Sequence, residues 1–552
     1  MKKPISRLIF EDLDVPIGIV RLSVLKGLGI DVEELRVKPM IAVVNSHTEL
    51  NPGHAHLRLL AERVKEGVHA AGGMPFEFNV PAPCDGVANG NAGMRFILPQ
   101  RELIADLIET HVRSQLFDGL VLISSCDKIN PGMIMAAARL DLPALFLPGG
   151  PGAWQVRFRA GRKRSVDHKD YPDLAGKLAT FTCATCGACE IMGTANTFQC
   201  LAEALGLALP GSATVPAFHA EKLLWARRAG KRIVAMVEEG LSARQVLTPA
   251  GLENALMVDL AIGGSTNSAL HLPAIAHAAG FEFPLRLFND FNRKVPTLCA
   301  ISPNGPFGML DLYAAGGVPA VMKRLEADLH LEALTVTGKT QGEELASARV
   351  LDEEVIPPRD QAKLNEGGTV ALFGNLAPEG AVVKQSAVAP SMLVFSGPAR
   401  VVDSEAEAIK ALKARKVKEG EVLVIRYEGP KGGPGMPEIL SVTTMMELLL
   451  LKNVALVTDG RFSGATAGPC IGHVSPEAYE AGPLAALKDG DEIMIDIPGR
   501  KLSVKLSEAE IKQRLVGFRP PVRPIESGYI ERYREQVGSA AEGAILRSRA
   551  GR

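Results

Sequence analysis

The segment LVLISSCDKINPGMIMAAARLDLPALFLPG, residues 120–149, constrains the fold of this chain more than any other stretch. It opens on four consecutive large apolar residues, Leu120 to Ile123, the pattern of a strand buried on both faces. Asn130-Pro131 reads as a helix start, with Asn as N-cap and Pro at the first helical position, and the helix is expected to run through Met133 to Leu140. A second apolar strand over 144–147 ends at Pro148-Gly149-Gly150. Such a strand-loop-helix-strand unit belongs to an open α/β sheet, and sheets of that kind place ligands at the carboxyl ends of their strands. Cys126, Asp127 and Lys128 sit together at one such end, a soft metal ligand, a hard one and a lysine.

At 552 residues the chain exceeds one typical core, so two or more domains are expected. With 47% hydrophobic and 22% charged residues it reads as an ordinary globular protein, and a net charge of −1 gives no footing for a nucleic-acid or anionic-membrane partner. No apolar run is long enough for a membrane span, and MKKPISRLIFEDLD lacks the apolar core of a secretory signal, so a cytoplasmic location is expected. Eight cysteines in that compartment read as thiols or metal ligands rather than disulfides.

Residues 1–37 read as a helical lead-in, 40–44 as a strand, 45–54 as a polar loop and 56–71 as an amphipathic helix. A strand over 76–80 is followed by Pro81-Ala82-Pro83-Cys84-Asp85-Gly86, a second Cys-Asp pair behind a strand. Residues 101–114 form a further helix, 151–176 read as a basic, solvated excursion, and 220–350 as mostly helical around the Gly-rich GGSTNSALHLPAIAHAAG. The polar run EEVIPPRDQAKLNEGG, ending at residue 368, reads as a linker. Strands dominate beyond it, over 369–373, 392–395, 422–427 and 454–458, with a hairpin at 493–504 turning through Pro498-Gly499-Arg500. The expected organisation is α/β: a larger N-terminal domain over 1–355 and a smaller, β-rich domain over 369–552, with the ligand site between them.

Cys84, Cys126 and Cys189 all lie in Gly- or Pro-rich loops next to regular elements, which weakens the reading as merely structural cysteines and leaves it level with that of metal or cluster ligands. An iron–sulfur cluster and a zinc site both remain open on spacing: Cys183, Cys186 and Cys189 stand at C-x2-C-x2-C but lack the second ligand pair of structural zinc. Asp85, Asp127 and Glu438, which closes the loop GPKGGPGMPE, offer hard oxygens of the kind Mg²⁺ takes; solvated acids or helix caps are the plainer alternative. Ser463 follows Arg461-Phe462 without a G-x-S-x-G pattern, so a hydrolase nucleophile is not supported. GGPG at 149–152 and KGGPG at 431–435 are candidates to cradle an anion on backbone N–H groups, although neither fits a phosphate-loop pattern.

Six segments together, SCDKINPGMIMAAARLDLPALFLPGGP, CGACEIMGTANTFQCLAEALGLALPG, GGSTNSALHLPAIAHAAG, FGNLAPEGAVVK, RYEGPKGGPGMPE and TDGRFSGATAGPCIGHVSPEA, resemble the dihydroxy-acid/phosphogluconate dehydratase family, in order and from about residue 35 to the C-terminus. The resemblance implies an α/β domain followed by a swivelling β-barrel domain. It implies an enzyme that removes water from a small 2,3-dihydroxy acid to give a 2-oxo acid, using an iron–sulfur cluster and Mg²⁺. A branched-chain dihydroxy acid is the first expectation for the substrate and a sugar acid such as gluconate, xylonate or arabinonate the second, with a zinc-dependent lyase or hydrolase as a remote third.

By the same resemblance Cys126 and Cys189 are cluster ligands, Asp85, Asp127 and Glu438 are Mg²⁺ ligands, Lys128 is carbamylated to give another oxygen ligand, and Ser463 is the catalytic base. Members with a [2Fe–2S] cluster carry a cysteine where this chain has Gly53, which makes Cys84 the candidate third ligand and favours [4Fe–4S]. Gly90-Asn91-Ala92-Gly93-Met94 departs from the dihydroxy-acid branch, and Met192-Gly193-Thr194-Ala195 is closer to the sugar-acid branch; TDGRFSG and RYEGPKGGPGMPE lie closer to the branched-chain one. A homodimer or homotetramer is the implied assembly.

Overall fold

The computed structural model describes residues 4–153, 183–464, 466–522 and 527–547. The basic stretch expected as a surface excursion, 151–176, lies almost entirely outside them.

The first half of the chain builds a four-stranded parallel sheet from β1 (Met40–Asn45), β2 (Met74–Asn79), β3 (Gly119–Ser124) and β4 (Ala144–Pro148), in the order β2-β1-β3-β4. Every residue of β1, β3 and β4 is buried, which explains their unbroken apolar runs; β2, at the edge, is half-exposed. Helices cover the sheet. Leu57–Ala70 crosses Ala220–Glu239 with Gly67 against Gly230, and the approach leaves no room for side chains: a Cβ on Gly67 would stand 2.1 Å from the Arg227 carbonyl oxygen, and one on Gly230 the same distance from that of Val64.

The helix after β3 differs from expectation. It spans Ile129–Leu140 with Lys128 as N-cap, and Pro131 falls at the third helical position, where the missing N–H is still one of the unpaired first-turn donors. Asn130 does not cap. Its Oδ1 accepts from Ser124 Oγ at 2.7 Å and its Nδ2 donates to the Ala195 carbonyl at 3.2 Å, so the side chain is drawn sideways to tie two loops together.

The second half closes into an eight-stranded barrel, β10-β6-β5-β12-β11-β7-β8-β9, whose interior is a separate apolar cluster. Its strands are β5 (Val370–Gly374), β6 (Ala377–Val383), β7 (Val394–Val402), β8 (Val422–Ile425), β9 (Ala455–Thr458), β10 (Cys470–Ser475), β11 (Glu492–Asp496) and β12 (Lys501–Val504). The expected hairpin is β11-β12, with Ile493 opposite Val504. The strand expected at 392–395 begins two residues later and runs on to Val402, because β7 pairs with β8 along 399–402. β7, β8, β9 and β10 run parallel to their successive neighbours, so this stretch of the barrel also has a carboxyl edge. No helix among the described residues is long and apolar enough to cross a membrane.

Candidate active site

The loops that carry the candidate residues other than Cys189 leave the carboxyl ends of strands. Asn51 and Gly53 follow β1, Cys84 and Asp85 follow β2 and Cys126 to Lys128 follow β3; Glu438 follows β8 and Ser463 follows β9, while the segment of Cys189 is hydrogen-bonded to the turn after β4. Parallel strands emit their loops at one edge, which is how residues far apart in sequence reach one place.

Lys128 is the centre. Its side chain is fully buried, with Nζ 3.2 Å from Asp85 Oδ2, 3.4 Å from Glu438 Oε1 and in contact with Asp127 Oδ1. One oxygen from each of these three carboxylates lies within 4.8 Å of the others, a set able to hold a metal ion. Glu438 is held from behind. Arg461, also fully buried, forms an ion pair with Glu438 Oε1, and its Nε donates to the Met436 carbonyl at 2.6 Å. Asn267 Nδ2 lies 3.4 Å from Glu438 Oε1 and 3.4 Å from the Phe462 carbonyl.

Burial acts on all of these groups, and their partners decide the outcome. Burial raises the pKa of Asp85, with Lys128 opposing. Burial acts the same way on Glu438, but Arg461 and Lys128 outweigh it and hold the carboxyl below its ordinary range. Burial lowers the pKa of Lys128, and Arg461 adds to this. A lysine more easily deprotonated than usual is one able to react as an amine.

Cys126, Cys189 and Cys84 are near enough to influence one another. Burial raises the Cys126 thiol well above its ordinary value, and Cys189, Cys84 and Asp85 push in the same direction. Cys126 N–H donates to His54 Nε2 at 3.1 Å, and His54 Nδ1 lies 2.7 Å from the Ser46 carbonyl, an arrangement that makes Nδ1 the protonated nitrogen. Burial holds this imidazole neutral, with a pKa lowered to about 3. Asn51 links three loops: its Nδ2 donates to the Pro83 carbonyl at 3.1 Å beside Cys84, its Oδ1 accepts from Gly53 N–H at 3.0 Å, and Cys126 Sγ lies 3.6 Å from the same oxygen. The Cys189 loop is stitched to the turn after β4 by Ala188 and Gly152, and Asn196 donates to the carbonyls of Cys189 and Ile191. Cys183 and Cys189 are exposed and Cys186 is half-exposed. Among the described residues these three thiols do not close to a tight metal-ligand group as the three carboxylates do.

Ser463 sits in the loop between β9 and β10, two residues past Arg461, whose backbone pairs with that of Glu438. The loop is anchored by Lys384 Nζ, 3.2 Å from the Gly464 carbonyl, and by the close approach of Gly464 to Gly193, where a Cβ would stand 2.8 Å from the Gly193 α-carbon. Thr266, Lys384, Phe462, Ser463 and Thr466 line a small cleft.

Neither Gly-rich turn is an open anion cradle. The N–H groups of Lys431 and Gly432 already bind an internal acceptor, the Glu477 carboxyl group, at 2.8 and 2.7 Å. In the turn after β4, Gly149 N–H donates to the Ser124 carbonyl, Gly150 N–H to Gln199 Oε1 and Gly152 N–H to the Ala188 carbonyl.

Asn51, His54, Asn267 and Arg461 carry much of this geometry without having been singled out from sequence. Asn267 had one visible signal: GGSTNS is a polar, Gly-rich break between two apolar helices. Arg461 had none, since a buried arginine and a surface arginine look alike in sequence.

A family model described as "Dihydroxy-acid/6-phosphogluconate dehydratase N-terminal" matches residues 38–344, and its C-terminal counterpart matches residues 354–544. A dihydroxy-acid dehydratase of Caldanaerobacter subterraneus subsp. tengcongensis is 50% identical over 537 residues, covering 95% of this chain and 96% of the relative. One of Acetivibrio thermocellus is 49% identical, covering 96% and 97%, and the dihydroxy-acid dehydratase 1 of Methanosarcina acetivorans is 49% identical, covering 95% and 97%. A strand-end site with a partly buried trio of carboxylates able to hold a metal ion, in a chain matched this fully, is that of an enzyme, and its class is hydro-lyase. The chain belongs to the dihydroxy-acid/6-phosphogluconate dehydratase family.

Proposed function

We propose that this enzyme converts a branched-chain 2,3-dihydroxy acid to the corresponding 2-oxo acid, as a dihydroxy-acid dehydratase of branched-chain amino-acid biosynthesis. The observation that carries the reading is the near-complete coverage, at about half identity, of relatives bearing that name. The domain division would fall near residues 355–369, the assembly would be a homodimer or homotetramer, and the location cytoplasmic.

The residues present fit the two groups the family implies. Asp85, Asp127 and Glu438, joined by Lys128 as a carbamate, would hold Mg²⁺; the convergence of three carboxylate oxygens supports this. Cys126, Cys189 and Cys84 would hold the iron–sulfur cluster, with [4Fe–4S] favoured. The mutual effect of these thiols supports their closeness, and the missing Cβ at Gly53 leaves Cys126 Sγ unobstructed. The chemistry these groups supply when bound is charge neutralisation at the substrate carboxylate and Lewis acidity toward the departing C3 hydroxyl.

The chain's own residues do the rest. Ser463 Oγ would take the C2 proton as hydroxide leaves C3, and the resulting enol would tautomerise to the 2-oxo acid. Arg461 and Asn267 would fix Glu438 so that its carboxylate is not free to rotate. Lys384, bound to the Gly464 carbonyl, would tie the Ser463 loop to the end of β6 within the barrel.

The test is an anaerobic assay of reconstituted protein with 2,3-dihydroxyisovalerate and, separately, with a panel of aldonic acids. Turnover of the first well above the second is expected. Turnover confined to aldonic acids would reassign the substrate, and turnover of neither by a brown, iron-loaded protein would overturn the reaction.

A further inference from the structure

Lys384 follows β6 directly and is buried, 5% exposed. Its Nζ donates to the Gly464 carbonyl at 3.2 Å, one residue beyond Ser463. Lys384 and Ser463 line one cleft, together with Thr266, Phe462, Thr466 and Cys470. The space between them is about 10 Å³, on the order of what a single water needs. Thr466 Oγ1 is buried and has no hydrogen-bond partner among the described residues, so the cleft offers such a water a hydroxyl as well as the two side chains. Gly468, also on the cleft, is half-exposed and gives it an edge toward solvent. The charges around Lys384 do not hold it as an ammonium. Asp259, on the helix Pro249–Ile262, attracts it from a distance and Lys363 repels it; burial outweighs Asp259 and lowers its pKa to about 7. The Cys470 thiol, raised by burial and by Glu447, stays neutral. A buried lysine in this state is an amine able to accept a proton near neutral pH.

We infer that Lys384 is the proton acceptor that deprotonates Ser463, through one water held in this cleft; the inference rests on Ser463 being the base. The Ser463 O–H bond breaks and its proton passes to the water, while a proton of the water forms an N–H bond on the Lys384 amine. An alkoxide and an ammonium remain, and no electrons change hands. The ammonium, held close by its bond to the Gly464 carbonyl, stabilises the alkoxide until it takes the C2 proton. The hydroxide that leaves C3 then receives the proton of the ammonium through solvent, which yields the product water and returns Lys384 to the amine. Asp259 sets how readily Lys384 gives that proton up, since its charge favours the ammonium. A lysine that served only to tie the loop would need no neutral form, because a permanent cation donates to a carbonyl equally well.

The pH dependence of kcat on 2,3-dihydroxyisovalerate, measured with anaerobically reconstituted full-length enzyme of checked iron content, tests this. The parent is expected to lose rate on the acid side of about pH 7 as Lys384 becomes charged. Lys384→Met should lower kcat by at least about 100-fold, leave KM within about twofold and abolish that acid limb. Lys384→Arg keeps a donor for the Gly464 carbonyl but never gives up its charge, so its kcat should be as low as that of Lys384→Met. Asp259→Asn still accepts from Ser268 and removes the charge that favours the ammonium, so the acid limb should move to lower pH by at least about half a unit. Parental kcat in Lys384→Arg, or an acid limb that Asp259→Asn leaves in place, overturns the inference, and both results stand even where Lys384→Met fails to fold. Ser463→Ala separates the two readings: an active variant overturns the base and its acceptor together, whereas an inactive one beside a fully active Lys384→Arg overturns the acceptor alone.

Discussion

Gly53 is packed so closely on Cys126 that a Cβ there would stand 2.6 Å from Cys126 Sγ. The same Cβ would lie 3.1 Å from Asn51 Oδ1, the atom that receives Gly53 N–H, so the loop has no easy way to back off. Gly53→Ala should therefore displace the Cys126 thiol while leaving the sheet intact. The iron and sulfide content of anaerobically purified protein is expected to fall below about half of the parental value, because one ligand in three is moved. Parental iron content would mean that Cys126 does not bind the cluster.

Lys128 is a buried ammonium among three carboxylates. In metal-free protein, Lys128→Met leaves those acids without it and should cost about 3–5 kcal/mol in urea unfolding with chelator present. Carbamylation predicts a second result: protein incubated with Mg²⁺ and ¹³C-bicarbonate should carry a carbamate carbon resonance that the variant lacks. Identical spectra from the two proteins would remove Lys128 from the metal site.

Glu477 titrates far from its ordinary range. Burial, reinforced by Asp459, raises its pKa from 4.5 to about 8, although two backbone N–H groups favour the ionised form. The sign follows from the two values. Below pH 4.5 the carboxyl is neutral folded and unfolded; between 4.5 and about 8 the unfolded chain ionises first, and this residue's contribution to stability is lost as pH rises. Glu477→Gln removes that slope. Between pH 5 and pH 9 the parent should lose on the order of 4 kcal/mol relative to the variant, read from paired denaturation curves. Parallel curves would contradict the assignment.

The pair formed by Arg461 and Glu438 is fully enclosed. Arg461→Met should cost about 3–5 kcal/mol, since it leaves Glu438 buried with less compensation, and Mg²⁺ should recover part of the loss by supplying positive charge. A destabilisation indifferent to Mg²⁺ would place Glu438 outside the metal site.

Much of this was legible in sequence because strand burial and strand-end loops leave strong marks. The unbroken apolar runs of β3 and β4 read directly as buried parallel strands, and Cys-Asp pairs behind two strands pointed to one edge of a sheet. The Asn130 cap failed for a physical reason: local capping competes with any better partner, and Ser124 and Ala195 are better partners available only in the folded chain. The two Gly-rich turns misled in the same way. Their N–H groups do bind acceptors, but the acceptors are the protein's own, Glu477, Gln199 and backbone carbonyls. Closure of the barrel, and the burial of Arg461 and Asn267, depend on contacts between residues well separated in sequence, such as Asn267 and Glu438, which leave no local pattern.

The central claim is that the loop between β9 and β10 delivers the base to a dehydration site, and Ser463→Ala tests it most directly. The variant should retain the iron content and visible absorbance of the parent while kcat on 2,3-dihydroxyisovalerate falls by at least about 1000-fold, the loss expected on removing a proton-transfer group. A variant with full cluster content and undiminished turnover would contradict it.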